Sequence, residues 1–166
     1  DIIAPFPMPK FDNSAMDGFA VRAVDTKGAT QASPITLKMV SVSSAGSPSN
    51  MTIGPGECAQ CMTGATIQNG ADAIVMVEYS SGFSDAYSVQ VFLEAQPTKH
   101  IRKKGEEIQK GDLLISKGAH ITPSEIGTLA AFGYDKIAVT REPRIAIFGT
   151  GSGLVEPAND LKPGQI

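Results

Sequence analysis

Glycine and proline interrupt this chain so often that only short elements of secondary structure fit between them. The 166 residues include 17 Gly and 11 Pro, and both residue types favour turns over long helices. Runs with strand character lie between the turns, such as ITLKMVSVS at 35–43 and YSVQVFLEA at 87–95. The alternation in the second run puts Val89, Val91 and Leu93 on one face. The pattern predicts a mainly β fold whose strands close into a small barrel or sandwich.

The only helix signal is in the last third of the chain. Thr122, Pro123 and Glu125 have the spacing of a helix N-cap, a first-turn proline and a capping-box acid, which predicts a helix that ends at Gly133.

Two further strands are expected after that helix. KIAVT at 136–140 is rich in β-branched residues, and the apolar run in PRIAIFGTG at 143–151 is typical of a strand buried on both faces of a parallel sheet. We therefore expect a domain boundary at 141–143 and the start of an α/β domain beyond it.

Charge and hydropathy exclude some classes of partner. The formal net charge is −3 and the pI is about 5.3, so the chain has no general attraction to nucleic acid or to an anionic membrane surface. No apolar window approaches the length of a membrane span, about 18 residues. The N-terminal residues also lack the pattern of a signal peptide, and the expected location is the cytoplasm.

Cys58 and Cys61 form a CxxC pair, a spacing found in redox and metal sites. The surrounding residues favour a strand, in which side chains three positions apart point to opposite faces. Two buried or half-buried thiols are therefore the better interpretation.

Four segments carry residues suited to chemistry. Each also has a plain structural interpretation, as a turn or as a solvated surface. FDNSAMDGFAVRA (11–23) offers carboxylates that could hold a cation. MTGA (62–65) offers a hydroxyl beside a glycine. IRKKGEEI (101–108) offers basic groups for an anion. GTGSGL (149–154) is a Gly-rich loop after an apolar run, although its spacing fits neither a P-loop nor a dinucleotide fingerprint.

Taken in order, these segments resemble the MoeA/gephyrin E-domain family of molybdopterin molybdenumtransferases over nearly the whole chain. The resemblance is carried by FDNSAMDGFAVRA, MTGA with GADAIVMVE, IRKKGEEI, GDLLISKGAHITPSEIGTLAAFG, RIAIFGTG and LKPGQI.

The resemblance implies three domains. A β-rich domain would cover residues 4–111. Part of an elongated α+β dimerisation domain would cover residues 1–3 and 112–142. Residues 143–166 would be the beginning of a truncated α/β domain. It also implies a homodimer whose active site lies between the α/β domain of one subunit and the β-rich domain of the other.

The same resemblance implies the reaction: molybdenum from molybdate is inserted into adenylylated molybdopterin, with Mg²⁺ or another divalent cation, and AMP is released. The molybdopterin adenylyltransferase would be a possible partner protein. By motif position, Asp17 and Thr63 are the expected catalytic residues, Asp17 also being the candidate metal ligand. Ser14, Gly64 and Arg102 are the expected substrate-binding residues.

The chain departs from the family pattern at one point. The family reads GTGDEL where this chain reads GTGSGL, so that Ser152 and Gly153 stand in place of an acidic pair. Because the family uses the glutamate of that pair in its active site, an alternative function is cofactor binding or scaffolding without catalysis.

Overall fold

A computed structural model describes residues 1–166 and confirms a mainly β chain. The nine strands and the α-helix are as follows: β1 (Ile2–Ile3), β2 (Asn13–Ser14), β3 (Gly18–Val21), β4 (Ile35–Ser43), β5 (Glu57–Cys61), β6 (Ala73–Met76), β7 (Ser88–Val91), β8 (Ile101–Arg102), β9 (Leu113–Ile115) and α1 (Pro123–Ala131). None of the helices has the length and apolar character needed to cross a membrane.

Five of the strands form one curled sheet in the order β6-β3-β5-β4-β7. All pairs are antiparallel except β4 with β5. After β6 the chain makes a short 3-10 turn at Val77–Tyr79, and Ser80 then bridges to Val91 at the opposite edge of the sheet. The two edges therefore approach each other, and the predicted barrel-like domain is confirmed as a half-barrel.

The core lies on both faces of this sheet. Phe19 and Val21 of β3 belong to one buried cluster, and Ala20 between them belongs to the other. Complete burial of a side chain such as Phe19 contributes about 2 to 3 kcal/mol. The two cysteines of β5 follow the same alternation, since Cys58 lies in the first cluster and Cys61 in the second.

Two small strand pairs join distant parts of the chain. β1 pairs with β9, and β2 pairs with β8 so that Asn13 lies opposite Arg102. The second pair brings the N-terminal signature segment beside the basic segment that follows residue 100.

The helix begins as its sequence predicts. The Thr122 hydroxyl accepts a hydrogen bond from the Ser124 N–H at 3.3 Å, and the Glu125 carboxylate accepts one from the Thr122 N–H at 2.9 Å. The Thr122 hydroxyl also donates a hydrogen bond to the Glu125 carboxylate, and this bond, followed by the one from the Thr122 N–H, holds the pKa of Glu125 below its usual value.

The strands predicted at 136–140 and 143–151 are wrong for this chain, because neither segment forms a ladder. A strand requires hydrogen bonds to a neighbour, and here Ile147 is 91% exposed and Phe148 83% exposed. Leu93 also lies outside β7, which ends at Val91.

The chain divides into two compact units, Asp1–Gly133 and Tyr134–Ile166. All nine strands and α1 belong to the first unit. The three-domain division expected from the family resemblance remains a prediction.

Candidate functional site

The loop between β2 and β3 is closed by a buried serine. The Ser14 hydroxyl is completely buried and donates a hydrogen bond to the Met16 carbonyl at 2.5 Å. It also accepts one from the Met16 N–H at 3.3 Å. These bonds turn the chain sharply and leave the next residue, Asp17, exposed at the rim of the sheet.

Gly18 fixes where that rim lies. It pairs with Cys61 on one side and Met76 on the other. A Cβ atom at this position would lie only 2.0 Å from the Val75 carbonyl oxygen, so no other residue fits without moving the strands. The glycine therefore holds Asp17 at the junction of β3, β5 and β6.

Asp17 is bound to Thr63, 46 residues further along the chain. Its Oδ1 atom accepts hydrogen bonds from the Thr63 N–H and from the Thr63 hydroxyl, each at 2.7 Å. These two bonds, the one from the N–H first, hold the pKa of Asp17 below its usual value. No hydrogen bond from the chain engages Oδ2, so an ionised, exposed oxygen faces solvent. The structure thus brings the two predicted catalytic residues together.

Gly64 shapes the turn that carries Thr63. Its φ of +80° lies in the left-handed region that favours glycine. Its N–H donates to the Ser14 carbonyl at 2.8 Å, and the Ala65 N–H closes the turn on the Met62 carbonyl at 2.9 Å. Ser14, Asp17, Thr63 and Gly64 therefore form one hydrogen-bonded cluster, in which Ser14 is internal and the others reach the surface.

Arg102 lies on the strand next to this cluster. Its backbone pairs with Asn13, its side chain is exposed, and it forms no salt bridge with any residue of the chain. It makes no hydrogen bond to Asp17 or Thr63. Its position beside the signature segment is compatible with an anion contact, which remains a prediction.

Asp12, the other carboxylate of the signature segment, binds the two lysines that follow Arg102. Asp12 accepts a hydrogen bond from the Lys103 ammonium and another from the Lys104 N–H, both at 2.8 Å. These contacts lower the pKa of Asp12, the Lys103 side chain being the larger cause. Of the basic run, Lys103 is neutralised locally, while the side-chain charges of Arg102 and Lys104 form no salt bridge.

Cys61 lies directly beneath this cluster, since it pairs with Gly18 and is hydrogen-bonded to the Ser14 side chain, while Cys58 lies in the other buried cluster. Both are buried and free, and burial raises the pKa of Cys58 to about 12 and that of Cys61 to about 11. No group of three or more His, Cys, Asp or Glu side chains is placed to hold a metal ion. The interpretation of the CxxC pair as two buried thiols on a strand is confirmed.

The chain supplies at most part of a divalent cation site. Mg²⁺ is commonly held by one or two carboxylates together with substrate phosphates, and the free Oδ2 of Asp17 fits the role of one such ligand. A complete site would need oxygens from the substrate or from another segment.

Comparison with known proteins places these features in a family. The family model for the MoeA N-terminal region (domain I and II) matches residues 1–133. Molybdopterin molybdenumtransferase 2 of Mycobacterium tuberculosis is 42% identical over 166 residues, which is 100% of this chain and 40% of that protein. Molybdopterin molybdenumtransferase of Staphylococcus aureus is 39% identical over 166 residues, 100% of this chain and 39% of that protein.

Solved structures agree with these relatives. Crystal structures of the molybdopterin biosynthesis MoeA protein from Pyrococcus horikoshii match with TM-scores of 0.82 and 0.86, at 38% and 33% identity. They cover 100% and 99% of this chain and 42% of each of those chains. This chain thus spans about 40% of the length of the curated relatives it matches.

Proposed function

The chain belongs to the MoeA N-terminal region family, and from that premise we propose that it acts in molybdenum cofactor biosynthesis. It would form part of a transferase that inserts molybdenum from molybdate into adenylylated molybdopterin and releases AMP. The names of its relatives as molybdopterin molybdenumtransferases support this proposal.

The observation that carries the proposal is the contact between Asp17 and Thr63. Two segments separated by 46 residues meet so that one carboxylate oxygen accepts two hydrogen bonds and the other remains exposed. A surface turn that only satisfied its own backbone would not need a partner so distant in sequence. The arrangement orients a charged oxygen, as binding or catalysis requires.

The chemistry follows from the state of this carboxylate. Because the pKa of Asp17 is lowered, the group is ionised throughout the neutral range, and its Oδ2 can accept a hydrogen bond or ligate a cation. The Thr63 hydroxyl donates a hydrogen bond to Asp17, so the hydroxyl oxygen is left to accept a hydrogen bond from a ligand. A bound Mg²⁺ would neutralise phosphate charge beside this carboxylate.

The remaining parts of the proposal come from the family. We propose a homodimer in the cytoplasm, with the cleft beside Asp17 completed by the α/β domain of the second subunit. Arg102 would contact an anionic group of the substrate from the adjoining strand pair.

The test is AMP release by the full-length protein that contains this chain, supplied with adenylylated molybdopterin, molybdate and Mg²⁺. Asp17→Asn should lower the turnover rate roughly 100-fold, as is usual for a positioned catalytic group. Asp85→Asn is the matched control, because Asp85 is also exposed and hydrogen-bonded, to the Tyr87 N–H and the Ser88 hydroxyl. Equal rates for the two variants would contradict the role of Asp17.

A second function is favoured by one feature of the sequence. If Ser152 and Gly153 remove a charge that catalysis needs, the protein would bind the cofactor or its precursor without turnover. Retained binding with no AMP release would support this function. A gain of AMP release on Ser152→Asp combined with Gly153→Glu would identify the missing charge as the cause.

A further inference from the structure

A pocket opens beside β6, in the seam where the half-barrel fails to close. It has a volume of about 190 Å³ and lies between β6, the 3-10 turn that follows it and the segment 93–100. The walls are mainly apolar, with Val75, Met76 and Leu93 among the lining residues. Pockets for whole drug-sized ligands are roughly 300 to 1,000 Å³, so this one is suited to a single ring system.

One wall of the seam presents a backbone donor as well as apolar side chains. Val77 donates its N–H to the Asp17 carbonyl at 3.0 Å, so the alternation of an antiparallel ladder turns the backbone groups of Ile74 and Met76 outward. The Ile74 N–H is satisfied by the Lys99 carbonyl at 3.1 Å. The Met76 N–H is left as a donor at the edge of the sheet, whereas Ile74 is only 1% exposed and its carbonyl is closed to a ligand.

Lys99 places the one ammonium group at the rim of the pocket, which it shares with the carboxylate of Glu94. Lys99 is exposed and forms no salt bridge. The only carboxylate that lines the pocket belongs to Glu94, and its Oε2 accepts a hydrogen bond from the Gly28 N–H at 2.8 Å. Tyr79, 46% exposed, adds an aromatic face against which a flat ring can stack.

The backbone of the opposite wall is held in an unusual conformation. Thr98 has a φ of 66° and His100 a φ of 59°, although neither is glycine. Such strained residues persist only where the surrounding structure fixes them, and they concentrate at ligand sites and switches. Burial and then Lys99 lower the pKa of His100, so its imidazole is neutral at pH 7 and offers one donor and one acceptor.

Both walls of the seam are hydrogen-bonded to the loop between β2 and β3, which carries Asp17. The His100 carbonyl accepts a hydrogen bond from the Ala15 N–H at 2.9 Å, and the Val77 N–H holds the Asp17 carbonyl from the other side. A ligand seated in the seam would therefore lie next to the segment that presents Asp17.

We propose that this seam pocket binds a flat heteroaromatic ring that carries an anionic group, and that it is a subsite of the Asp17–Thr63 site. The ring would lie against Tyr79 and accept a hydrogen bond from the Met76 N–H, and Lys99 would contact the anion. The binding itself does not depend on the proposed function, but the assignment as a subsite does. The proposed substrate contains two such ring systems, a purine and a pterin.

The test is a titration of the 166-residue chain with small-molecule probes, in which two-dimensional NMR measures the shifts of the backbone amides. AMP and pterin-6-carboxylate are the two probes, which separate the purine from the pterin source, and adenosine and inorganic phosphate are the incomplete controls. One complete probe should shift the amides of 74–79 and 93–100 more strongly than either control. Failure of both probes to shift these segments would overturn the proposal, whatever the AMP-release assay shows.

Two variants and a matched control sharpen the result. Lys99→Gln should weaken binding of the responding probe roughly fivefold, as expected for an exposed ion pair. Tyr79→Ala should weaken it to a similar extent, through loss of stacking. Lys117→Gln removes an exposed lysine from outside the pocket and should leave affinity unchanged. An equal loss in Lys99→Gln and Lys117→Gln would show diffuse charge attraction and overturn the proposal.

If ligand binding is confirmed but Asp17→Asn has no effect on AMP release, the seam pocket is a site in its own right and the subsite assignment fails. If Asp17→Asn abolishes AMP release but neither probe binds in the seam, the proposed function survives and this inference does not.

Discussion

At the scale of single residues, the site depends on the Thr63 hydroxyl, which binds Asp17, and on Gly18, which lets the strands pack closely beside it. Thr63 and Asp17 could be paired in advance only through the family resemblance, because nothing in the local spacing of two segments 46 residues apart predicts a contact. The bond between Ser14 and Met16 is different, since a serine two residues before its partner is an ordinary turn pattern. The turn at Ser14 could therefore be predicted from the sequence, whereas the contact between Asp17 and Thr63 is seen only once the sheet has folded.

Replacement of Thr63 by Val should raise the pKa of Asp17 toward its ordinary value of 3.8. The variant keeps the backbone N–H but loses the hydroxyl, one of the two groups that stabilise the ionised carboxylate. A carboxylate NMR titration measures the shift directly. Thr36→Val, at an exposed position of β4, is the control and should leave the Asp17 titration unchanged.

The same bonds set the sign of a pH effect. Since the pKa of Asp17 is lower in the folded state, its contribution to stability is present above the ordinary value and is lost as pH falls through the folded value. Thr63→Val should therefore reduce the stability difference between neutral pH and pH below 3.8. An unchanged titration in this variant would show that the hydroxyl does not bond Asp17 in solution.

Gly18→Ala should destabilise the fold by about 3 kcal/mol, because the added methyl group would meet the Val75 carbonyl oxygen and overpack the sheet. Urea denaturation gives the free energy of unfolding. Gly127→Ala is the matched control: Gly127 lies within α1 with nothing near its Cβ position, and the change should stabilise the protein by about 0.5 to 1 kcal/mol. Comparable stability for the two variants would refute the close packing of β3 on β6.

At the scale of elements, sequence predicts what is local and misses what depends on neighbours. The capping box at Thr122 uses residues three positions apart, so the start of α1 could be predicted from the sequence. The segment 143–151 has the composition of a buried strand, but a strand also needs a partner, and the chain provides none there. The seam pocket could not be predicted from the sequence either, because β6 and the segment 93–100 meet only when the sheet curls.

The strand assignment of β5 leads to a prediction about its thiols. Cys58 and Cys61 should not react with Ellman's reagent in the native protein at pH 8, because burial raises the pKa of each thiol to about 12 and about 11. In denaturing urea both should react, and the absorbance of the released thiolate gives the count. Rapid reaction in the native state, or a bound zinc ion that protects the thiols, would restore the redox or metal interpretation.

At the scale of the whole molecule, both core clusters belong to the unit Asp1–Gly133. This unit also corresponds to the residues that the family model matches, 1–133. The unit Tyr134–Ile166 contains no strand or helix, and its apolar side chains Ile145, Ile147 and Phe148 are at least 80% exposed. Stability should therefore reside in the first unit.

A chain truncated after Gly133 should keep the fold, with a melting temperature within a few degrees of that of the full chain, because it retains every strand and both clusters. A chain truncated after Ile121 is the informative comparison, since it also loses α1 and Phe132, whose ring stacks on Phe6 at 5.3 Å. Loss of such a buried aromatic contact typically costs about 3 to 5 kcal/mol, so this shorter chain should melt well below the other. Circular dichroism during heating distinguishes the two, and equal destabilisation in both truncations would mean that Tyr134–Ile166 contributes to the core after all.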